Sequence, residues 1–402
     1  MEHRFSRSDL EIMAPVGSYA ALSAAIRAGA DSVYFGAGGL NMRSASSANF
    51  SPADLARIVR TASGHGVKTY LTLNTTLYDE DLPAMRRAMD EAKAAGLSAV
   101  IAADQAAILH AASIGLEIHL STQLSISNVE ALRFYSRWAD VVVLARELSL
   151  AQLAAIHDAM ERDDIRGPSG RPIRIELFAH GALCMAVSGK CHLSLHQYGR
   201  SANRGECLQA CRRRYILTDR ETGDEIGVDD EFLMSPKDLK TIHFLDRVLD
   251  AGVRVLKIEG RARPPEYVMT TVECYREAVE AVLDGSYGPG RVAEWDRRLA
   301  GVFNRGFWDG YYLGQRLGEW SGRYGSAAAR KRAYAGYCSN YYAKPGVASF
   351  VIENEAIAPG QELLVIGDTT GALYVTPPEI HVDGEPARSE EHTSELQSPN
   401  TI

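Results

Sequence analysis

Four of the six cysteines in this 402-residue chain lie within one stretch, residues 176–214. They are Cys184, Cys191, Cys207 and Cys211, and they are separated in turn by six, fifteen and three residues. Four glycines in the same stretch let the backbone turn sharply between these positions. A run with strand character, 173–179, leads into the first cysteine, so we expect the thiols to collect at a strand end. Four thiolates gathered there can hold an iron–sulfur cluster or a zinc ion.

Four cysteines also have uses that involve no metal. Two disulfides are one alternative, but disulfides rarely persist in the cytosol, where this chain is expected to reside. A zinc knuckle usually brings two close Cys-x-x-Cys pairs, and the sequence contains none. The spacing therefore favours a metal or cluster site over disulfides, and it leaves scattered core thiols as the remaining alternative.

The composition indicates a soluble globular protein. The chain is 46% hydrophobic, and its net charge of −8 excludes a polycation. The N-terminal segment MEHRFSRSDLEIM has no apolar run typical of a secretory signal. No apolar run approaches the roughly 18–20 residues that a membrane span requires. We therefore predict a cytoplasmic protein without membrane contact, in which thiolates stay reduced.

One region departs from the acidic total. Basic residues surround the cysteines between positions 188 and 214 and are opposed there only by Glu206. These basic residues are Lys190, Arg200, Arg204, Arg212, Arg213 and Arg214. Such a local patch on an acidic protein favours a defined anionic partner. The alternatives are a solvated loop, or arginines that balance the charge of a thiolate cluster.

Short apolar runs alternate with amphipathic segments along most of the chain, which predicts repeated strand–helix units. The predicted strands are 11–14, 32–36, 67–74, 99–104, 117–122, 141–145, 173–179 and 253–260. The predicted helices are 19–28, 52–63, 80–95, 105–113, 128–137, 149–160, 236–250 and 265–283. Eight such units indicate an α/β fold of the (β/α)8 TIM-barrel type, and a doubly wound open sheet is the alternative.

The same pattern predicts the domains. The barrel occupies 8–300 and includes a cysteine-rich insertion, 180–235, after its seventh strand. An aromatic and glycine-rich linker follows at 301–332. Short strands separated by Gly and Pro predict a small β-barrel over 333–387. The last segment, 388–402, resembles a translated sequencing adapter and is predicted to be a non-native tail, in which case the gene is truncated and the last domain lacks strands.

The carboxyl ends of barrel strands usually carry catalytic residues, and the eighth predicted strand ends in Lys257-Ile258-Glu259-Gly260-Arg261. Alternation along the strand puts Lys257, Glu259 and Arg261 on one side. An arginine there can grip a carboxylate, and a glutamate beside it can move a proton. We therefore predict catalytic roles for Glu259 and Arg261, with a buried ion pair as the alternative.

Three other residues at predicted strand ends complete the candidate site. Arg43 follows the second strand and Arg146 the sixth, so both join Arg261 as candidate ligands of a carboxylate. His180 directly follows the seventh strand and is predicted to act as a general acid or base. A satisfied core histidine is the alternative.

The residues around the cysteines resemble peptidase family U-32, the collagenase-like peptidases. The resemblance lies in E-x-F-x-H-G-A-L-C at 176–184, S-G-x-C at 188–191 and R-S-x-N-R-G-x-C-x-x-x-C-R at 200–212. It extends more loosely over 11–263. It implies that Cys184, Cys191, Cys207 and Cys211 ligate a 4Fe-4S cluster.

Within that family, the sequence is most similar to proteins that make 5-hydroxyuridine at the tRNA wobble position with prephenate. The resemblance therefore implies tRNA and prephenate as partners, with prephenate held by Arg43, Arg146 and Arg261. It also implies a dimer or heterodimer, as some members form. The arginines implied to contact RNA are Arg200, Arg204, Arg212, Arg213 and Arg214.

Two other functions are compatible with the sequence. One is a peptidase, as the family name states, although the sequence has neither an H-E-x-x-H nor a G-x-S-x-G motif. A Cys–His nucleophile pair such as Cys191 with His180 would still serve a peptidase. The other is a cluster-bearing partner in another hydroxylation pathway.

Overall fold

The computed structural model describes residues 5–45, 50–226, 232–382, 385–387 and 400–401. Seven parallel strands follow one another from the N-terminus and pair in sequence order. They are β1 (Glu11–Pro15), β2 (Ser32–Phe35), β3 (Lys68–Leu73), β4 (Ala99–Ala102), β5 (Glu117–Leu120), β6 (Val141–Val143) and β7 (Arg174–Gly181). The cysteine-rich insertion then contributes β8 (Leu217–Thr218) and β9 (Glu225–Ile226), which form a hairpin, and is followed by β10 (Asp238–Lys240).

Strand β11 (Val253–Ile258) closes the ring, because it pairs in parallel with both β7 and β1. The predicted (β/α)8 barrel is therefore confirmed, and the alternative open sheet is excluded. Most barrel strands are buried on both faces, which explains why they appear in the sequence as continuous apolar runs.

Ten helices cover the barrel and its ends within the described part of the chain. They are α1 (Tyr19–Arg27), α2 (Leu55–Ser63), α3 (Leu82–Ala94), α4 (Gln105–Ser113), α5 (Val129–Tyr135), α6 (Leu150–Arg162), α7 (Leu193–Tyr198), α8 (Leu245–Asp250), α9 (Pro265–Asp284) and α10 (Pro289–Gly301). Side-chain caps fix several starts: Ser18 accepts from the N–H of Ala21, and Asn128 from that of Ala131. None of the helices described combines the length and apolar character needed to cross a bilayer.

The prediction of one helix over 236–250 is wrong in its first half. Residues Asp238–Lys240 form β10, which runs antiparallel to β7, and the helix α8 begins only at Leu245. Strand β7 extends to Gly181, and β10 pairs with this projecting end at Gly181 and His180. Pairing of these buried backbone groups decides the conformation against the local helical pattern.

The segment 301–332 packs on the barrel. Its strand β12 (Phe307–Trp308) pairs in parallel with β10. The hydroxyl of Tyr312 donates to the carbonyl of Phe178, and the carbonyl of Tyr312 accepts from the N–H of Leu150. This segment therefore extends the wall of the barrel near its mouth.

Further strands follow at the C-terminus. They are β13 (Gly336–Tyr342), β14 (Val347–Ile352), β15 (Leu363–Gly367), β16 (Gly371–Val375), β17 (Ile380–Val382), β18 (Glu385–Ala387) and β19 (Asn400–Thr401). Five of them form a sheet in the order β13-β14-β19-β17-β18, while β15 and β16 form a hairpin that packs on α1 and α9. Of the predicted tail 388–402, only the two residues of β19 lie within the described residues.

Candidate active site

A cavity of about 400 Å³ lies at the carboxyl ends of the barrel strands. Strand ends form one side, and the cysteine-rich insertion forms the other. Its charged lining residues are Arg43, Arg146, Arg212, Lys257, Glu259, Arg261, Arg263 and Arg305. Because only one of these eight is a carboxylate, the cavity suits an anionic ligand. Such a position is where barrel enzymes build their active sites.

All four cysteines of the insertion line this cavity. Their thiols are free; Cys184 is exposed, and Cys191, Cys207 and Cys211 are half-buried. Burial raises the pKa of Cys211, and the other three thiols raise it further because they are near neighbours. The insertion therefore brings together four residues that are up to 27 positions apart in the sequence.

The donor set can be compared with two kinds of site. A zinc ion is held by up to four thiolates at about 2.3 Å. In an iron–sulfur cluster the irons are separate and each takes its own cysteine. Four free cysteines line one cavity, so their number and chemistry fit either kind of site. Within the described ranges, no three His, Cys, Asp or Glu side chains are arranged around a single metal position.

Asn203 ties the insertion to the barrel. Its side-chain oxygen accepts from the N–H of Cys191 at 3.1 Å, and its carbonyl accepts from the N–H of Thr76 at 3.0 Å. Nearby, Gly205 has a φ of +88° and packs against the backbone of the β2 loop at Asn41, where a Cβ would have no room. A cysteine loop and a barrel loop are thereby held as one unit.

Two arginines predicted to contact RNA are instead bound within the protein. Arg212 donates to the carbonyl of Leu183 at 2.6 Å and to the hydroxyl of Ser235 at 3.0 Å. Arg204 pairs with Asp81 at 2.6 Å. These contacts hold the insertion against the barrel, so both side chains are better described as structural.

The other three arginines of the basic patch lie at the surface. Arg200 is 60% exposed in an ion pair with Glu206 at 2.8 Å. Arg213 is exposed and donates to the hydroxyl of Tyr198 at 2.7 Å, and Arg214 is exposed beside it. Exposed pairs of this kind contribute little to stability, so the cations of Arg200 and Arg213 can exchange these partners for a polyanion.

Glu259 is held in its ionised form. Burial alone would raise the pKa of this carboxyl, but Arg43, Arg263 and Arg146 outweigh burial and lower the pKa to about 2. Arg43 is the direct partner, with its Nη2 2.9 Å from Oε1. At neutral pH, Glu259 therefore has no proton to donate and acts as a fixed negative charge.

Arg261 differs from Arg43 because its partners are neutral. Its Nη1 donates to Asn41 Oδ1 and to Thr72 Oγ1, each at 2.9 Å. Burial lowers the pKa of Arg261 to about 10, and within the described residues no carboxylate forms an ion pair with it. The alternative of a Glu259–Arg261 ion pair does not hold, since Arg43 occupies that carboxylate. Arg261 is thus a buried cation that an anionic ligand would stabilise.

Arg146 is the third predicted ligand of a carboxylate, and it also lines the cavity. Its guanidinium lies 3.7 Å from the ring centroid of Phe178, and its Nη1 donates to the carbonyl of Ala182 at 3.2 Å. Its Nε is buried without a hydrogen-bond partner in the part of the chain that is described. One donor therefore remains for a ligand.

Two arginines of the cavity, Arg263 and Arg305, were not predicted from the sequence. Arg263 lies over the ring of Phe303 at 3.5 Å, and Arg305 pairs with Asp238 at 3.2 Å. The alternation that selected Arg261 also extends to Arg263 and was sufficient to find it. Arg305 lies in the segment interpreted as a linker, where no sequence pattern marked it.

Below the cavity, a buried polar row crosses the barrel interior. Lys257 Nζ lies 2.7 Å from Glu176 Oε1, and Glu176 Oε2 lies 3.3 Å from His119 Nδ1. The side chains of Glu176 and His119 have no exposed surface, whereas Lys257 reaches the cavity lining. Alternation along the strand puts Lys257 on the same side as Glu259 and Arg261 but indicates no role for it.

His180 is placed away from the cavity. Its buried ring lies among Tyr267, Tyr275 and Phe307, with centroid distances of 6.0, 5.7 and 5.6 Å. Burial, with a smaller contribution from Lys240, lowers the pKa of His180 to about 3, so the ring stays neutral. This arrangement is that of a core histidine, and His180 is not among the residues that line the cavity with the cysteines.

Comparison with known proteins adds a family. The model described as "Peptidase family U32" matches residues 17–322 of the chain. A "Collagenase" of Porphyromonas gingivalis is 58% identical over 376 residues, which cover 94% of this chain and 91% of that protein. An Escherichia coli 23S rRNA 5-hydroxycytidine synthase is 39% identical over 279 residues, 68% of this chain and 40% of that protein. The "tRNA hydroxylation protein P1" of Bacillus subtilis is 34% identical over 302 residues, 73% and 69% of the two chains.

Proposed function

This chain belongs to peptidase family U32, and from that premise we propose that it hydroxylates a pyrimidine of RNA, namely the wobble uridine of tRNA. In this proposal prephenate is the co-substrate, and Cys184, Cys191, Cys207 and Cys211 ligate a 4Fe-4S cluster. One observation carries the proposal: four free cysteines and seven cationic side chains line a single cavity at the barrel mouth. The names of two relatives, an RNA 5-hydroxycytidine synthase and a tRNA hydroxylation protein, support the RNA substrate.

The arginines of the cavity are assigned to the co-substrate. Prephenate carries two carboxylates, and each needs compensation when it leaves water. Arg261 can take a carboxylate because its present partners, Asn41 and Thr72, are neutral. Arg146 can take one because its Nε has no hydrogen-bond partner among the described residues. Arg43 is already paired with Glu259, so its contribution to carboxylate binding is weaker.

The remaining residues have more limited roles in this proposal. Glu259 is a carboxylate at neutral pH, so it can orient a ligand or accept a proton but cannot act as the acid. His180 faces away from the cavity and is given no chemical step. When bound, an iron–sulfur cluster would supply one-electron chemistry at the cavity wall formed by the insertion.

The RNA is assigned to the surface of the insertion. Arg200, Arg213 and Arg214 are exposed there, beside the loops that enclose the cavity. Contacts of this kind bind phosphates and position a substrate without reading its sequence. A uridine would have to leave its stack to reach the cavity, as bases do in other enzymes that modify them.

A peptidase is the second candidate, because the "Collagenase" relative is 58% identical over nearly the whole chain. For this function a cysteine of the cavity would serve as the nucleophile. His180 does not face that cavity, so the predicted Cys191–His180 pair lacks support from the structure.

Nucleoside analysis separates the two functions. We expect tRNA from a strain that lacks the gene to contain no 5-hydroxyuridine or its derivatives, as measured by mass spectrometry. Wild-type protein and Cys338→Ser, which changes an exposed cysteine outside the cavity, should restore the nucleoside. Cys191→Ala should not restore it.

The same proteins are then tested for proteolysis. We expect purified wild-type protein to cleave collagen and casein no faster than Cys191→Ala does. Cysteine-dependent cleavage together with unchanged tRNA would contradict the proposal and favour the peptidase.

A further inference from the structure

Lys257 lies at the floor of the cavity, and the proposed function leaves it unused. The residue is only 4% exposed, yet it lines the space that holds the arginines and the cysteines. Its Nζ lies 4.6 Å from the ring centroid of Tyr34 and 5.5 Å from that of Phe178. The amine is therefore held in a largely apolar wall with its carboxylate partner, Glu176, behind it.

A structural explanation for this lysine is weak. Burying an ion pair usually contributes little to stability, because desolvation of both charges offsets their attraction. The rings of Tyr34 and Phe178 would pack against an apolar side chain at least as well. A cation placed in a cleft at this cost is better explained by chemistry.

Two observations indicate which chemistry. Burial lowers the pKa of Lys257; Glu176 opposes this effect, and the charges of Arg261 and Arg146 add to it. A buried lysine with cationic neighbours is the arrangement that activates an amine as a nucleophile. Moreover, Arg146 and Lys257 lie 3.7 and 5.5 Å from the centroid of the same Phe178 ring and line the same cavity, so a 2-oxo acid held by Arg146 would lie within reach of the amine.

We propose that Lys257 forms a covalent imine with a 2-oxo acid whose carboxylate is held by Arg146 and Arg261. This inference deepens the proposed function and rests on it, because prephenate is itself a 2-oxo acid. It also extends to any smaller 2-oxo acid that fits a cavity of about 400 Å³.

The step balances without an oxidant or reductant. The Lys257 ammonium passes a proton to Glu176 Oε1, 2.7 Å away, and the free amine attacks the carbonyl carbon. A C–N bond forms, and the carbonyl oxygen accepts one proton from the attacking nitrogen and the other from Glu176. The C–O bond then breaks, and the oxygen leaves as water. An ammonium and a ketone thus give a protonated imine and one water. His119, 3.3 Å from the far oxygen of Glu176, positions that carboxylate.

Reductive trapping tests the inference directly. Cluster-loaded, full-length protein is incubated with prephenate, pyruvate or 2-oxoglutarate and with sodium cyanoborohydride, which reduces an imine to a stable amine. Peptide mass spectrometry should find a single adduct on Lys257, with the mass of the acid less one water plus two hydrogens. The corresponding 2-hydroxy acids of pyruvate and 2-oxoglutarate bear the same charge but no ketone, and they should leave no adduct.

Two variants control for folding and for accidental labelling. Lys257→Arg keeps the charge and a donor for Glu176, but it should lose the adduct. Lys240→Arg changes another lysine in an ion pair, with Asp296 at 2.7 Å and outside the cavity, and it should keep the adduct. If Lys257→Arg does not fold, the position of the adduct in wild-type protein and in Lys240→Arg still decides the question.

The outcomes separate this inference from the proposed function. An adduct with pyruvate or 2-oxoglutarate but not with prephenate would support the imine and contradict prephenate as the co-substrate. If calorimetry detects prephenate binding while none of the three acids labels Lys257, the inference is overturned and the co-substrate stands. Labelling of other lysines in place of Lys257 overturns it as well.

Discussion

Replacing Arg261 with methionine should have opposite effects on folding and on ligand binding. The guanidinium is buried against two neutral acceptors, Asn41 Oδ1 and Thr72 Oγ1. Neither acceptor depends on it: Asn41 Oδ1 also accepts from the N–H of Arg43, and the hydroxyl of Thr72 donates to the carbonyl of Phe35. Methionine has similar length and no charge, so the substitution removes a buried cation without leaving its neighbours unsatisfied.

The pKa of Arg261 gives the magnitude. Burial lowers that pKa to about 10, and each pKa unit corresponds to about 1.36 kcal/mol. The charged form is therefore penalised by about 3 kcal/mol in the ligand-free protein. Arg261→Met should leave the free energy of unfolding unchanged or raise it by up to that amount. A carboxylate ligand recovers the penalty in the wild type, so its affinity should fall on the order of 100-fold in the variant.

Calorimetric titration of cluster-loaded protein with prephenate measures the change in affinity. Urea denaturation measures the change in the free energy of unfolding. Arg261→Lys is the matched control, because it keeps the positive charge but loses the two parallel N–H donors of the guanidinium. We expect it to weaken prephenate binding at least about tenfold. If Arg261→Met instead lowers the free energy of unfolding by several kcal/mol and binds prephenate like the wild type, Arg261 has a structural role. That result would refute the reasoning.

Three further predictions follow from other parts of the molecule. After anaerobic reconstitution, Cys184→Ser should lose the visible absorbance of a cluster, whereas Cys274→Ser should keep it. Cys274 lies in α9 outside the cavity, and burial raises the pKa of its thiol to about 12. Equal spectra of the two variants would remove Cys184 from the ligand set. Burial would raise the pKa of Glu11, but the cationic neighbours of this carboxylate lower the pKa to about 2. Ionised Glu11 should therefore contribute about 3 kcal/mol to the free energy of unfolding above about pH 4.5, and this contribution should be lost as the pH falls toward 2. In urea denaturation from pH 7 to pH 2.5, the difference between wild type and Glu11→Gln should therefore shrink with acid, and a constant difference would contradict the linkage. Gly181→Ala should destabilise by more than the roughly 1 kcal/mol expected of Gly66→Ala, since both glycines have positive φ but only the first has backbone in the space of a Cβ; equal losses in thermal denaturation would show that the close contact has no effect.

The barrel was predictable because its strands carry their own signal. Strands buried on both faces appear as continuous apolar runs, and the ends of β5 and β11 were found to within two residues. Strand β10 was not predictable, because its conformation depends on the projecting end of β7 rather than on its own residues. A pattern along the chain cannot show pairing that is decided by a distant partner.

The candidate site was predicted in part for the same reason. Strand position and alternation selected Arg43, Arg146, Glu259 and Arg261, and the structure places all four at one cavity. Position alone also selected His180. However, β10 pairs with β7 and β12 pairs with β10, so Phe307 of β12 packs beside the His180 ring and buries it in the core. Which arginine pairs with Glu259 depends on the path of the β2 loop, and the sequence does not contain that information.

The order of the chain has a consequence for the sequence of events in folding. Strand β11, which closes the ring, follows the cysteine-rich insertion in sequence, and contacts that fix the insertion, such as Arg204 to Asp81, join residues 123 positions apart. Contacts that close a longer loop form later in folding. The loop between the paired residues Glu11 of β1 and Val255 of β11 is longer than the loop between Asp81 and Arg204. We therefore expect the insertion to attach to the early strands before β11 closes the ring. The ring should therefore be completed last, over an insertion that the early strands already hold.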